Sequence, residues 1–269
     1  MKKYYFIGGI HRSGSTLLSA ILNQNPRFHS GPMSPVLPMI EKLETFMAND
    51  EFYASAPKPQ QAHKVLSSII HNYHSDIEEE VVFDKHRMWP KYINYIEGYV
   101  KEKAKIICPV RDIDEVVVSF LKIIHKNKNT ERLNPIDRDV LLNDCPLNDI
   151  SRSKMILRER GYVDTCISAM KWAVDAGLSD RLLFVEYRDL VMNPEYVFKS
   201  IYNFLEEEYY DHDFKKIKNN NEVKDEEYYG LKGLHDVREK LEITSYNPKD
   251  YLTEDIINEC RKLEFWRNL

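Results

Sequence analysis

The stretch GGIHRSGSTLLSAIL, residues 8–22, decides the reading of this chain. Gly9 and Gly14 stand four residues apart, the spacing of a glycine loop that cradles phosphate. Such a loop ordinarily continues with lysine and then serine or threonine. Here Ser15 and Thr16 occupy those places, and Arg12 is the only cation inside the loop. The preceding YYFIG (4–8) is a short apolar run that reads as a buried strand. Leu17, Leu18, Ile21 and Leu22 then recur at helical spacing until Asn25-Pro26 stops them. A loop between strand and helix gathers backbone N–H groups and the positive end of the helix dipole, which makes an anion nest. Ser13, Ser15 and Thr16 add hydroxyl donors. In nucleotide hydrolases the lysine reaches the terminal phosphates and the hydroxyl holds magnesium. Its absence points away from a triphosphate with magnesium, while Arg12 suits paired hydrogen bonds to a single terminal phosphate. The plainer alternative is a tight turn capped by Ser15 or Thr16, but the run of small and polar residues exceeds what a cap requires.

Working outward, VVFDKH (81–86), KIICPV (105–110) and RLLFVEY (181–187) read as three further buried strands. Helical patterns lie between them: 16–24, the stretch after Gly31-Pro32, 60–74, 111–124, a long region over 149–177, and the segment after Pro194. Residues 128–139 are polar and read as a surface loop. Strands separated by helices imply parallel pairing, with ligands at the carboxyl ends of the strands. The expected fold is therefore α/β, a P-loop-like three-layer α/β/α arrangement with a central, mainly parallel sheet. One domain is expected over 1–269, with residues about 215–250 as a loop-rich cover over the nucleotide site and a terminal helix near 253–264.

Arg111 follows the strand KIICPV, and Ser119 lies eight residues later. Eight residues are just over two helical turns, so both can share a face near the same end of the sheet. Read singly, Arg111 is a surface partner of Asp112 and Ser119 an ordinary helix serine. Read together with the first loop, they suggest a second phosphate set some distance from the first.

Bulk composition narrows the classes. With 43% hydrophobic and 30% charged residues over 269 positions, a globular domain with a sizeable core is expected. A net charge of −5 argues against a general nucleic-acid binder. The four cysteines are scattered, without CxxC or histidine pairing, so neither a zinc site nor a disulfide framework is read. The apolar run at the N-terminus ends at His11-Arg12, and no long apolar segment follows, so a cytoplasmic protein with no membrane partner is expected.

The motifs GGIHRSGSTLL, ICPVRDIDEVVVS and LLFVEYRDLVMNPEYVFKSIYNFL resemble the sulfotransferase superfamily, whose donor is 3′-phosphoadenosine 5′-phosphosulfate (PAPS). The likeness covers residues 3–25, 81–126 and 165–206, and is nearer to the bacterial and tyrosylprotein branches than to the cytosolic steroid and phenol enzymes. It implies transfer of a sulfuryl group from PAPS to a hydroxyl or amine of a small molecule, glycan or peptide, releasing PAP, with no metal. Arg12, Ser13, Gly14, Ser15 and Thr16 match the 5′-phosphate loop; Arg111 and Ser119 match the pair on the 3′-phosphate; Tyr187 matches a tyrosine on the nucleotide side. Lys85 matches the lysine at the leaving oxygen, with Arg12 as the second cation. The base is the weak point. HSGPMSP (29–35) lacks the glutamate of the tyrosylprotein branch, and Arg87 stands where the cytosolic branch has histidine. His86 is the expected base, with Glu41, Glu44, His29 and His125 as further candidates. Asp84, Arg87 and Trp89 are candidates for the acceptor pocket, and Lys232 or Arg238 for extra charge on the nucleotide. Two alternatives remain: a kinase-like phosphotransferase with a degenerate loop, and a non-catalytic nucleotide-binding protein.

Overall fold

The computed structural model describes residues 2–218, 223–243 and 246–269. Its centre is a five-stranded sheet of β1 (Lys3–Ile7), β2 (Phe28–Ser30), β3 (Val81–Lys85), β4 (Ile106–Val110) and β5 (Leu182–Glu186). The strand order is β2-β3-β1-β4-β5, and every pairing is parallel. The strands read as continuous apolar runs because both faces are covered. Along β1, Tyr4 and Phe6 enter one core while Tyr5 and Ile7 enter the other. Val82 and Val81–Phe83 divide the same way on β3. The first core receives the helices Val36–Asn49, Pro59–Tyr73, Ile113–Lys126 and Tyr162–Asp175; the second receives Ser15–Leu22 and Pro194–Leu205. This is the three-layer α/β/α arrangement read from the sequence.

Three local readings change. β2 is only three residues long and escapes a pattern search. The region 149–177 is two helices, Asp149–Leu157 and Tyr162–Asp175, broken where Arg160 takes φ 57° and a side chain at Gly161 would meet the Arg158 carbonyl at 2.7 Å. Within the expected surface loop, Pro135–Leu142 is helical. Asn134 caps it by accepting from the Asp137 N–H at 2.9 Å, Pro135 opens it, and Ile136 and Val140 are buried.

The chain passes from β1 to β2 and β3 on one side, then crosses to β4 on the other. The change of direction opens a crevice between the carboxyl ends of β1 and β4, the position where open α/β sheets bind ligands.

Candidate anion-binding active site

The first loop is locked to the end of β4. The Gly8 N–H donates to Ile107 O at 2.8 Å, and the Ile10 N–H donates to Pro109 O at 2.9 Å. Gly9 has φ 79°, and a Cβ there would lie 2.3 Å from the Pro109 carbonyl, so both its handedness and its closeness require glycine. Gly14 has φ 85° and faces the Tyr187 ring, which a Cβ would meet at 2.7 Å. Ser13 is buried with its hydroxyl against Ile10 O at 2.6 Å and Pro109 O at 2.9 Å. That hydroxyl holds the loop, which leaves only the Ser13 backbone N–H to meet a ligand.

Above the loop lies a cavity of about 930 Å³, lined by Arg12, Gly14, Ser15, Thr16, Arg87, Arg111, Ser119 and Tyr187 among others. Arg12 joins the two halves that the sequence reading set apart. Its Nε donates to Ser119 Oγ at 3.1 Å, and its carbonyl accepts from Arg111 Nη1 at 3.3 Å. Arg111 does not pair with Asp112. It is 5% exposed, donates through Nε to Glu115 at 2.8 Å, and lies over the Tyr187 ring at 4.4 Å. Asp112 instead pairs with Arg267.

Lys85 ends β3, opposite Ile7, and is 4% exposed. Its ammonium donates to Thr16 Oγ1 at 3.3 Å. Burial, and then the field of Arg87, drives its pKa well below the ordinary lysine value. Asp84 is no partner for it. That carboxylate is fully buried and accepts from Ser34 Oγ at 2.6 Å, His74 Nε2 at 2.8 Å and Trp89 Nε1 at 2.8 Å. Asp84 and Trp89 thus form a core knot that fixes the end of β3, and neither lines the cavity.

Arg87 is the cation that sequence reasoning left without a role. Nη2 donates to Ser15 Oγ at 2.8 Å and Nη1 to Gly8 O at 3.2 Å, so it braces the loop from below. Burial lowers the pKa of both Arg87 and Arg12. Among the described residues, Arg12, Lys85 and Arg87 have no carboxylate in an ion pair. Buried cations left without counter-charge are costly, and an anionic ligand is the natural complement. Thr16 is informative here. Nucleotide hydrolases place magnesium on this hydroxyl; in this chain an ammonium donates to it, so the protein itself supplies a cation at that point.

His86 lies elsewhere. It is half-buried, its Nδ1 accepts from the Met88 N–H at 3.3 Å, and it lines neither this cavity nor a smaller one of about 440 Å³. His125 is tied to Asp149 at 2.8 Å, and Glu41 and Glu44 also stand outside the lining. His29 lines the smaller cavity together with Lys85. The histidine that does line the large cavity at a carboxylate is His235. Its Nδ1 is 2.6 Å from Asp225 Oδ1, and its backbone N–H donates to Asp225 Oδ2 at 2.8 Å. An anionic partner on Nδ1 demands a proton there and leaves Nε2 as an acceptor. Burial outweighs the pull of Asp225 and lowers the His235 pKa, with Lys85 and Arg87 adding to the effect. The sequence signal was an aspartate and a histidine ten residues apart in a weakly periodic tail, too common a pattern to single out.

The tail also supplies Gly233, Arg238 and Tyr246 to the lining, and the Leu234 carbonyl accepts from Arg12 Nη1 at 2.5 Å. Lys232 contributes backbone only, donating its N–H to Asn127 Oδ1 at 2.9 Å. Residues 219–222 and 244–245 of the expected cover lie outside the described residues. Among the described residues, no helix is long and apolar enough to cross a membrane, and no group of three His, Cys, Asp or Glu is placed to hold a metal.

A parallel sheet with an arginine-bearing glycine loop and converging unpaired cations defines an α/β protein built to hold a phosphorylated ligand. Residues 5–211 match the model described as the Sulfotransferase family, and the chain belongs to that family. It is 27% identical over 214 residues to protein-tyrosine sulfotransferase A of Caenorhabditis elegans, a match covering 76% of this chain and 50% of that protein. The chain therefore spans about half the length of that curated relative. In fold it is similar to the sulfotransferase domain from the curacin biosynthetic pathway, with TM-score 0.54, 16% identity and 98% of each chain covered. It is also similar to a mouse sulfotransferase complexed with PAP, with TM-score 0.52, 13% identity, and 98% of this chain and 84% of that one covered.

Proposed function

We propose that the protein transfers a sulfuryl group from PAPS to an acceptor hydroxyl and releases PAP. The observation that carries this reading is the trio Arg12, Lys85 and Arg87, converging on the glycine loop without a carboxylate partner among the described residues. The loop takes the 5′-phosphate through backbone N–H groups and the Ser15 and Thr16 hydroxyls. Arg111 and Ser119 take the 3′-phosphate, with Tyr187 packed on the Arg111 guanidinium. As the sulfur–oxygen bond to the 5′-phosphate breaks, negative charge grows on the phosphate oxygen, and Lys85 and Arg12 stabilise it. The acceptor oxygen forms the new bond to sulfur and gives its proton to His235 Nε2, which Asp225 holds in the accepting tautomer. Four free cysteines, three of them buried, support a reducing compartment such as the cytoplasm.

The phosphotransferase alternative requires a metal at the Thr16 hydroxyl, where Lys85 donates. Incubation with PAPS and a panel of hydroxyl acceptors tests the proposal by release of PAP. Phosphate transfer from magnesium ATP, with no PAP released from PAPS, would overturn it.

A further inference from the structure

Resting on that reading, we infer that the cavity has a second, apolar lobe that takes an uncharged small molecule carrying its hydroxyl on a flat, ring-sized apolar body. One helix divides the cavity. On Ile113–Lys126, Ser119, Lys122 and Lys126 recur at i, i+3 and i+7, while Phe120 and Ile123 lie about 100° round the axis. All of them line the cavity, so the same helix presents it with a cationic strip and an apolar strip.

The cationic strip continues through stacked groups. Lys122 lies 4.2 Å from the Tyr246 ring, and Arg111 lies 5.9 Å from Tyr246 and 4.4 Å from Tyr187. That side suits the nucleotide with its phosphates. The apolar strip continues into a triangle of rings: His11 to Phe120 at 6.0 Å, His11 to Tyr162 at 6.3 Å, and Phe120 to Tyr162 at 6.1 Å. Buried Ile136 and Leu231 extend it. His11 is kept neutral by burial and by the fields of Arg87 and Arg12, so the triangle carries no charge for an acidic group. It is also electrostatically coupled to His235, which sets the lobe beside the proposed base.

A strap crosses the lobe. Tyr229 reaches Met33 Sδ at 3.7 Å, Thr130 Oγ1 donates to the Gly230 carbonyl at 3.0 Å, and the Lys232 N–H donates to Asn127 at 2.9 Å. A peptide acceptor needs an open groove for chain on both sides of the reacting residue; a strapped lobe admits a compact molecule. The whole cavity, at about 930 Å³, falls within the roughly 300–1,000 Å³ of small-molecule sites. Nucleotide and compact acceptor together fill it.

The test compares 2-naphthol with a tyrosine peptide flanked by acidic residues, as acceptors with PAPS and as ligands of the PAP-loaded protein. Naphthol is expected to bind the PAP complex and to show at least tenfold higher kcat/KM. Tyr162→Glu, which puts a charge in the ring triangle, is expected to raise the naphthol KM at least tenfold and leave PAP affinity within twofold. Tyr229→Ala loosens the strap and gives the same direction should Tyr162→Glu fail to fold. Better turnover of the peptide, no turnover of either acceptor by a protein that binds PAP, or variants that shift PAP affinity and not acceptor KM would each overturn the lobe. A wild-type protein that does not bind PAP overturns the sulfuryl-transfer reading, and this inference with it.

Discussion

The two ends of the chain contribute to the site in different ways. The N-terminal side supplies strand-tip groups: the loop of residues 8–16, Lys85 and Arg87 after β3, and Arg111 after β4. Parallel pairing brings these tips together whatever covers them. The C-terminal segment has no strand to fix it. Its place depends on contacts made after the sheet exists, such as Arg12 to the Leu234 carbonyl, Thr130 to Gly230, and Asp225 to His235. The first region binds the anion, and the second brings the base and closes the cavity.

That contrast can be broken by substitution. The largest effect is expected at His235: His235→Gln lowers turnover about a hundredfold or more, in the range of a general base. PAP affinity stays within a few-fold, read by steady-state kinetics beside calorimetry. If turnover holds within threefold, the C-terminal segment is a lid and the base lies elsewhere. Lys85→Ala comes next, with turnover down more than tenfold and PAP affinity within a few-fold. Equal loss of both would make Lys85 a binding residue alone. Arg111→Ala sharpens the comparison inside the first region by removing the preference for PAP over AMP. The ratio is the readout, because leaving Glu115 without its partner also lowers stability.

The smallest effect is one of pH. His235 must be neutral to accept a proton, and its pKa lies below the ordinary 6.5. Turnover is therefore flat near neutrality and falls as pH drops through a value below 6.5, where the imidazole becomes charged. The acid limb disappears in His235→Gln. A limb that persists unchanged in the variant belongs to another group.

Legibility in the sequence follows the same division. Four of the five strands and the loop that carries Arg12 were readable because burial on both faces leaves continuous apolar runs, and a tight anion nest demands small residues. β2 was not, since three residues make no pattern. The helix Pro135–Leu142 left an Asn-Pro signal that its polar surroundings obscured. Lys85 could be located from the end of its strand, but not its contact with Thr16 or the exclusion of Asp84, because these depend on three donors from distant segments converging on one carboxylate. His86 looked suitable from adjacency to Lys85. Alternation along the strand turns neighbours to opposite sides, and the structure keeps it out of the cavity. Asp225 and His235 meet only through the fold of the tail, so no local rule finds them.

The central claim is that the unpaired cations around the glycine loop await a nucleotide with two separate phosphates and no metal. Calorimetric titration of the wild-type protein with PAP, AMP and ATP, each with and without magnesium, tests it most directly. The account predicts tight binding of PAP, at least tenfold weaker binding of AMP, and no dependence on magnesium. Preference for magnesium ATP over PAP would contradict it.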